Sequence, residues 1–245
     1  MPISLDILAA ILVTATIQSL FGVGVLLFGT PILLVLGYPF VTALAVLLPI
    51  SCSINLLQVS RYHAHIDRSF YGKILSLSAP GIVVCLLLVT RAAINIGFLV
   101  GLFLILVALK DVCEPVKRWI ESLVRYERTY FVAMGIIHGL TNLGGSLLTA
   151  IVHSKHYEKD VQRVTTAVAY GNFAFFQLLT LLVALDRFPI PFTESALAVL
   201  AGVGTYLLTD QLVYAKIGAA QYRTVFAALL FVSGTVLILK AALMR

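Results

Sequence analysis

The 245-residue chain is 60% hydrophobic and only 11% charged, with a mean hydropathy of +1.03; that is more apolar surface than one water-soluble core can bury. Its net charge of +6 is no sign of nucleic-acid binding, because the Lys and Arg residues lie between or at the ends of apolar runs, where they set the orientation of a membrane protein. The short alternating segments of a β-barrel are absent, which leaves an all-α polytopic membrane protein with the lipid bilayer as its first partner.

Most apolar runs have about the 17 to 25 residues that cross the hydrocarbon layer as a helix. The first, Ile7 to Leu36, would be about 45 Å long if fully helical, so it must tilt, break or turn back. It is interrupted by Gln18-Ser19-Leu20-Phe21-Gly22-Val23-Gly24, and Gly29 with Pro31 loosens its second arm. Met1 to Asp6 has no basic n-region, so the run is expected to remain as a span. After the Gly37-Tyr38-Pro39 turn, Val41 to Val59 carries Ser51, Asn55 and Gln58 on one helical face, a stripe expected to meet protein or water rather than lipid.

The basic loop Arg61 to Lys73 holds His63 and His65 with only Asp67 nearby, which suits a solvated loop better than a metal site. Lys73 to Val89 and Ile94 to Leu109 are the next spans, and Gly97 with Gly101 forms a small-xxx-small pair expected at a close helix crossing. Cys52, Cys85 and Cys113 have no CxxC spacing and read as small hydrophobes. From Asp111 to Arg128 the chain is amphipathic and basic: Val116, Trp119, Ile120, Leu123 and Val124 share one side, as in a helix lying in the headgroup layer. It reads as a linker (111–128) between a first transmembrane repeat (1–110) and a second (129–245).

The second half follows the same plan. Tyr130 to His153 is interrupted by His138-Gly139-Leu140-Thr141-Asn142-Leu143-Gly144-Gly145-Ser146, and after polar Lys155 to Arg163 comes Val164 to Leu185 with Tyr170, Asn172 and Gln177. Ser195 to Tyr214 and Val225 to Leu243 complete the set. Each half is thus a broken or re-entrant helix followed by three spanning helices. If both broken segments dip in and return, Arg91, Arg187, Lys240 and Arg245 face one side and the other 13 of the 17 Lys and Arg residues face the cytoplasm. If both cross, the split is a weaker 11 against 6. The first arrangement makes the repeats inverted and is preferred.

No HExxH, GxSxG or Walker-type run is present, and Asp186, Glu194 and Asp210 stand near span ends rather than at their centres. His138 with Thr141 or Ser146 is the only local nucleophile-base candidate. An enzyme is therefore not expected, nor is a metal or cofactor. Non-helical backbone at membrane depth survives only where protein buries it or it lines a cavity, and matched interruptions in two halves point to a transport site. Glycine amides and half-helix N-termini attract anions without a fixed cation, so a small anionic substrate is expected. The candidate ligands are Gln18, Gly22, Val23, Gly24, Ser51 and Asn55 in the first half, and His138, Thr141, Asn142, Gly144, Gly145, Ser146 and Asn172 in the second. Free amides from Gly144 to Ser146 are expected to form the main cradle, with the two glycines needed because a Cβ would restrict the turn.

The order Phe21-Gly22-Val23-Gly24, Gly29-x-Pro31, Gly37-x-Pro39, then Gly139 with Asn142-Leu143-Gly144-Gly145-Ser146, resembles the TauE/SafE family of sulfite exporter-like permeases over nearly the whole chain. The resemblance implies a prokaryotic plasma-membrane transporter for sulfite, sulfoacetate or related organosulfonates. Val25 and Leu26 follow Gly24 where many members have further glycine, which makes the second half the stronger candidate for the cradle. With no ATP-binding motif, the driving force would be the membrane potential or a coupled proton or ion. A channel or importer of the same anions, and an accessory protein that docks through the basic linker, are the alternatives.

Overall fold

The computed structural model describes residues 3–92, 95–110, 113–155, 157–213 and 219–243, except for the side chains of residues 20, 21, 110, 117, 120, 121, 159 and 211–230. Among the described residues the chain is helical: α1 (Leu5–Phe21), α2 (Val25–Val35), α3 (Phe40–Tyr62), α4 (Arg68–Arg91), α5 (Ile96–Lys110), α6 (Glu114–Val124), α7 (Glu127–Thr141), α8 (Gly145–Ser154), α9 (Lys159–Ala184), α10 (Phe192–Val213) and α11 (Ala219–Leu243). Four of these, α3, α4, α9 and α10, contain stretches long and apolar enough to cross a membrane. The chain is a multi-pass membrane protein. α5 has 15 residues, about 22 Å of helix and shorter than a typical crossing.

Both long interrupted runs break where expected, after Phe21 and after Thr141, and in both the second arm doubles back beside the first. In the first hairpin, Tyr38 just past α2 donates its hydroxyl to Asp6 at the start of α1, 2.8 Å away. In the second, the hydroxyl of Tyr130, near the start of α7, reaches the carbonyl of Leu147 in the first turn of α8 at 2.8 Å, and Lys155 after α8 pairs with Glu127 at the first residue of α7 at 2.7 Å. A helix that continued straight through the break would hold each of these pairs more than about 20 Å apart.

The ion pairs identify the two faces. Lys73 and Lys155 share Glu127, and Arg61 and Arg163 share Asp210. These four cations therefore lie at one end of the helices, whereas the crossing arrangement would put Lys155 and Arg163 opposite Arg61 and Lys73. At the other end Glu194 accepts the Ile3 amide at 3.1 Å, and Lys240 lies near the carbonyls of Leu34 and Val35. The paired feet decide for hairpins that return.

Helices of the two halves pack crosswise: α1 on α10, α7 on α4, α3 on α9 and α5 on α11. Glycine permits the closest crossings, since a Cβ at Gly139 would lie 2.7 Å from the Ile82 carbonyl oxygen and one at Gly101 would lie 2.8 Å from that of Gly234. Gly97 does not share in this crossing among the described residues, where a Cβ on it would meet Asn95 of its own segment at 3.5 Å. The basic loop expected over Arg61 to Lys73 is also shorter than its composition suggests. A single 3₁₀ turn (His63–His65) follows α3, and α4 begins at Arg68, where the Asp67 carboxylate caps the Phe70 amide at 2.9 Å. His63 and His65 are exposed there. No cluster of metal-ligating side chains occurs among the described residues. The amphipathic linker is α6, which leaves Trp119 exposed while Leu123 and Val124 are half-buried; the side chains of Lys117 and Ile120 lie outside the described set.

Candidate functional site

Each hairpin turns on one left-handed residue, Gly22 (φ 74°) in the first and Asn142 (φ 62°) in the second. Asn is the commonest residue after Gly to tolerate this conformation. Gly144 has ordinary helical angles, so the turn does not require it to be glycine. It must be small because a Cβ there would lie 2.6 Å from His138 Cβ, and Gly145 must be small because a Cβ would lie 2.7 Å from the Tyr170 ring. The expectation that these two glycines serve the turn is thus corrected: they admit a neighbouring ring.

In both tips a side chain one turn before the break caps the amide that starts the next arm. Gln18 Oε1 accepts the Val25 amide at 2.9 Å, and its Nε2 points to Asn55 Oδ1 at 3.4 Å. Asn55 in turn donates to the Ser51 carbonyl at 2.7 Å and to the Ser51 hydroxyl at 3.1 Å. Gln18, Ser51 and Asn55 are brought together as one buried chain of hydrogen bonds whose polar atoms bond one another. Val23 is buried at the tip, and Gly24 lies against the α1 backbone, its missing Cβ 2.7 Å from the Thr14 carbonyl oxygen.

In the second tip His138 Nδ1 accepts the Gly144 amide at 3.1 Å. A neutral imidazole that accepts at Nδ1 carries its proton on Nε2, and that Nε2 is buried with no partner. Asn142 donates its amide to Thr30 of the first hairpin at 2.7 Å, and Gln177 donates to the His138 carbonyl at 3.3 Å. Their side-chain oxygens, Asn142 Oδ1 and Gln177 Oε1, are buried without a donor. The Tyr170 hydroxyl is also buried without a hydrogen bond of normal geometry, though the Leu27 backbone lies close by, and its ring stands edge-on to His138 at 5.9 Å between centroids. Two potential donors and two acceptors at one tip therefore lack a hydrogen bond of normal geometry, although Gln177 stands beside His138 and the Leu27 backbone beside Tyr170. Buried polar groups in native proteins are nearly always bonded, each orphan costing about 1 to 3 kcal/mol.

The cradle expected from free amides is not what the tip presents. The amide of Leu143 goes to the Thr141 hydroxyl at 3.2 Å, that of Gly144 to His138, and that of Ser146 to the Leu143 carbonyl at 3.2 Å. The Ser146 hydroxyl also turns inward, to the same carbonyl at 2.9 Å. The unmet groups at the tip are thus side-chain atoms, a consequence of the tight turn in which Thr141, His138 and Ser146 each close a local ring with the backbone. Asn172 sits apart from the tip. Its amide donates to the Val168 carbonyl at 2.7 Å, and with Asn55 it lines a cleft of about 270 Å³ between α3 and α9, otherwise apolar and bordered by Cys52, Leu56 and Phe175.

Several polar residues near the tips were not among the sequence candidates: Thr30, Tyr170, Gln177, and a group on α9 and α10 formed by Arg163, Tyr206 and Asp210. Arg163 donates to the Tyr206 hydroxyl at 2.9 Å and pairs with Asp210. Sequence placed Arg163 in a polar loop, whereas α9 begins at Lys159 and puts it a full turn inside the helix. The i, i+4 spacing of Tyr206 and Asp210 was the available signal that both share a face of α10.

Opposed helical hairpins whose tips overlap inside a bundle of apolar helices define a polytopic membrane protein of the transporter type. A family model described as Sulfite exporter TauE/SafE matches residues 7–237. The chain belongs to that family. Neither the comparison with curated proteins nor that with solved structures gives a match.

Proposed function

We propose that the chain is a secondary transporter that exports a small sulfur-containing oxyanion, sulfite or an organosulfonate such as sulfoacetate, across a prokaryotic plasma membrane by alternating access. The family supplies the substrate class. The observation that carries the site is the unmet set at the second tip: His138 Nε2, the Tyr170 hydroxyl, Asn142 Oδ1 and Gln177 Oε1, buried and unpartnered. Donors from His138 and Tyr170 suit the oxygens of an oxyanion, and the two amide oxygens suit a substrate hydroxyl or an accompanying water. A neutral site of this kind holds an anion without the cost of a fixed charge in hydrocarbon.

The crosswise packing supports two inverted repeats, 1–110 and 129–245, joined by the linker. α1 on α10 exchanges with α7 on α4, while α3 on α9 and α5 on α11 pair equivalent helices, the pattern of a two-fold axis in the membrane plane. Rocking one hairpin against the other would expose the shared tip region to each side in turn.

Purified protein in proteoliposomes loaded with sulfite tests the reading. Saturable, gradient-driven sulfite flux is expected, falling at least ten-fold in His138→Ala with the protein still folded. Wild-type vesicles no leakier to sulfite than empty ones would overturn it in favour of an accessory protein.

A further inference from the structure

A second polar cluster lies at the basic face, below the tip of the first hairpin. Arg163 has a side chain only 8% exposed, and its Cγ is 3.8 Å from where a Cβ on Gly22 would be, so its stem passes beneath the turn. Its guanidinium bonds the Tyr206 hydroxyl at 2.9 Å, pairs with Asp210 and lies 5.9 Å from the centroid of the Tyr62 ring. Beside Tyr206 stands Gln58, buried to 1% exposure. Neither Gln58 Nε2 nor Gln58 Oε1 makes a hydrogen bond of normal geometry, although the amide stands close enough to the Tyr206 hydroxyl to act on it. A buried primary amide beside Tyr206 with no bond of normal geometry at either end is a poor packing residue, since a leucine of similar size would avoid the desolvation cost.

Asp210 is held by two cations. Arg163 is buried, while Arg61 binds the other carboxylate oxygen at 3.3 Å and is 44% exposed. If Arg163 turns to another anion, Asp210 keeps a counter-ion. That is the feature an ordinary buried ion pair lacks, because breaking one leaves a bare charge.

We propose that Arg163, Gln58 and Tyr206 form a second oxyanion station at the basic face, occupied by Asp210 when empty and vacated to Arg61 when the substrate anion arrives. It rests on the transport reading above and deepens it by supplying the entry point for the same substrate. Arg163 presents a planar fork of donors that fits two oxygens of a sulfite or sulfonate group. Gln58 Nε2 supplies a further donor, and the Tyr206 hydroxyl orients the guanidinium. The exchange moves no proton and changes no covalent bond. It accounts for a buried arginine below the first tip, and for an Asp shared by two arginines.

Binding of ³⁵S-sulfite to the purified protein in lipid nanodiscs, read together with thermal stability and proteoliposome flux, tests the station. Asp210→Asn removes the internal competitor, and sulfite affinity should rise several-fold. Arg163→Gln combined with Asp210→Asn removes both charges, so the protein should keep its melting temperature yet bind sulfite at least ten-fold more weakly. Gln58→Leu should weaken binding several-fold with stability unchanged or raised. A merely structural ion pair gives a different pattern: Asp210→Asn and Arg163→Gln each lower the melting temperature and flux alike, and the double variant restores both. That result overturns the station while leaving wild-type sulfite transport intact; absence of sulfite flux in wild type removes the transport reading, and the station with it.

Discussion

The two hairpins solve the same backbone problem and leave opposite residues of it. In each, a side chain one turn before the break turns back to cap the next arm: Gln18 takes the Val25 amide and His138 takes the Gly144 amide. Gln18 has a second end, which goes to Asn55, and Asn55 goes to Ser51. His138 also has a second end, and it makes no hydrogen bond of normal geometry, with Gln177 as its neighbour. The first tip is sealed by a run of amides that satisfy one another. The second ends in a ring whose donor has no hydrogen bond of normal geometry. One architecture therefore yields a structural corner and a candidate binding corner, and the choice lies in one capping residue and its neighbours.

The largest effect that can test this contrast is steric. Gly24→Val would drive a side chain into the α1 backbone around Thr14 and Gln18, atoms that cannot step aside, so the folded protein should be lost from the membrane fraction. Gly145→Val meets the Tyr170 ring instead, 2.7 Å from the added Cβ. A ring can shift where backbone cannot, so the variant should accumulate while sulfite binding nearly disappears. Fluorescence size-exclusion profiles of both variants, with binding measured on Gly145→Val, distinguish sealed from open. Equal loss of folded protein in the two would erase the difference.

Exchanging the caps gives the next largest effect. Gln18→Ala leaves the Val25 amide and Asn55 Oδ1 without their partner in a buried site, a destabilisation of roughly 1 to 3 kcal/mol, with flux per folded molecule preserved. His138→Ala costs a comparable cap and in addition removes the Nε2 donor, so its loss in flux should exceed its loss in stability. Measured on one preparation, the ratio of flux loss to melting-temperature loss should be several-fold greater for His138→Ala. A ratio of one would make His138 another cap and nothing more.

Tyr170→Phe is subtler. The hydroxyl makes no hydrogen bond of normal geometry, only an approach to the Leu27 backbone, so removing it should leave stability nearly unchanged, while sulfite affinity falls by about 1 kcal/mol, a several-fold change in Kd. A drop in stability with unchanged affinity would reassign the hydroxyl to packing.

What could be read from the chain beforehand follows a physical division. The breaks were legible because Gly22 and Gly24, and Gly144 with Gly145, punctuate runs too long to cross once. Their return was legible from the charge split, since Lys155 and Arg163 had to rejoin the side of Arg61 and Lys73. The donors were legible only in part, through His138. Sequence pointed to the backbone amides of Gly144 to Ser146, but Thr141, His138 and Leu143 lie close enough in a tight turn to take most of these bonds themselves. Of the unmet groups, His138 and Asn142 lay in the segment the sequence singled out; the others came from residues that only tertiary packing gathers, Tyr170 and Gln177 on α9, and Gln58 with Arg163 across α3 and α9. No spacing within one segment foretells a contact between segments.

The smallest expected effect concerns the feet of the hairpins, where the two regions agree. Tyr38 closes the first foot on Asp6, and Tyr157, just past α8, closes the second by donating to Asp67 at 2.6 Å. The Asp67 carboxyl is held below its usual range, first by the Phe70 amide at the α4 cap and then by the Tyr157 hydroxyl. A carboxylate whose pKa is lower in the folded state gives stability that is complete above its unfolded pKa of about 4 and is lost as pH falls through the lowered value. The wild-type melting temperature should therefore decline below about pH 4 more steeply than that of Asp67→Asn, in which the cap persists without a charge to protonate. Tyr157→Phe should keep the cap-driven part of the decline and lose the rest. Identical acid profiles for wild type and Asp67→Asn would show that the second foot is held by Lys155 on Glu127 alone, and that Asp67 serves only to start α4.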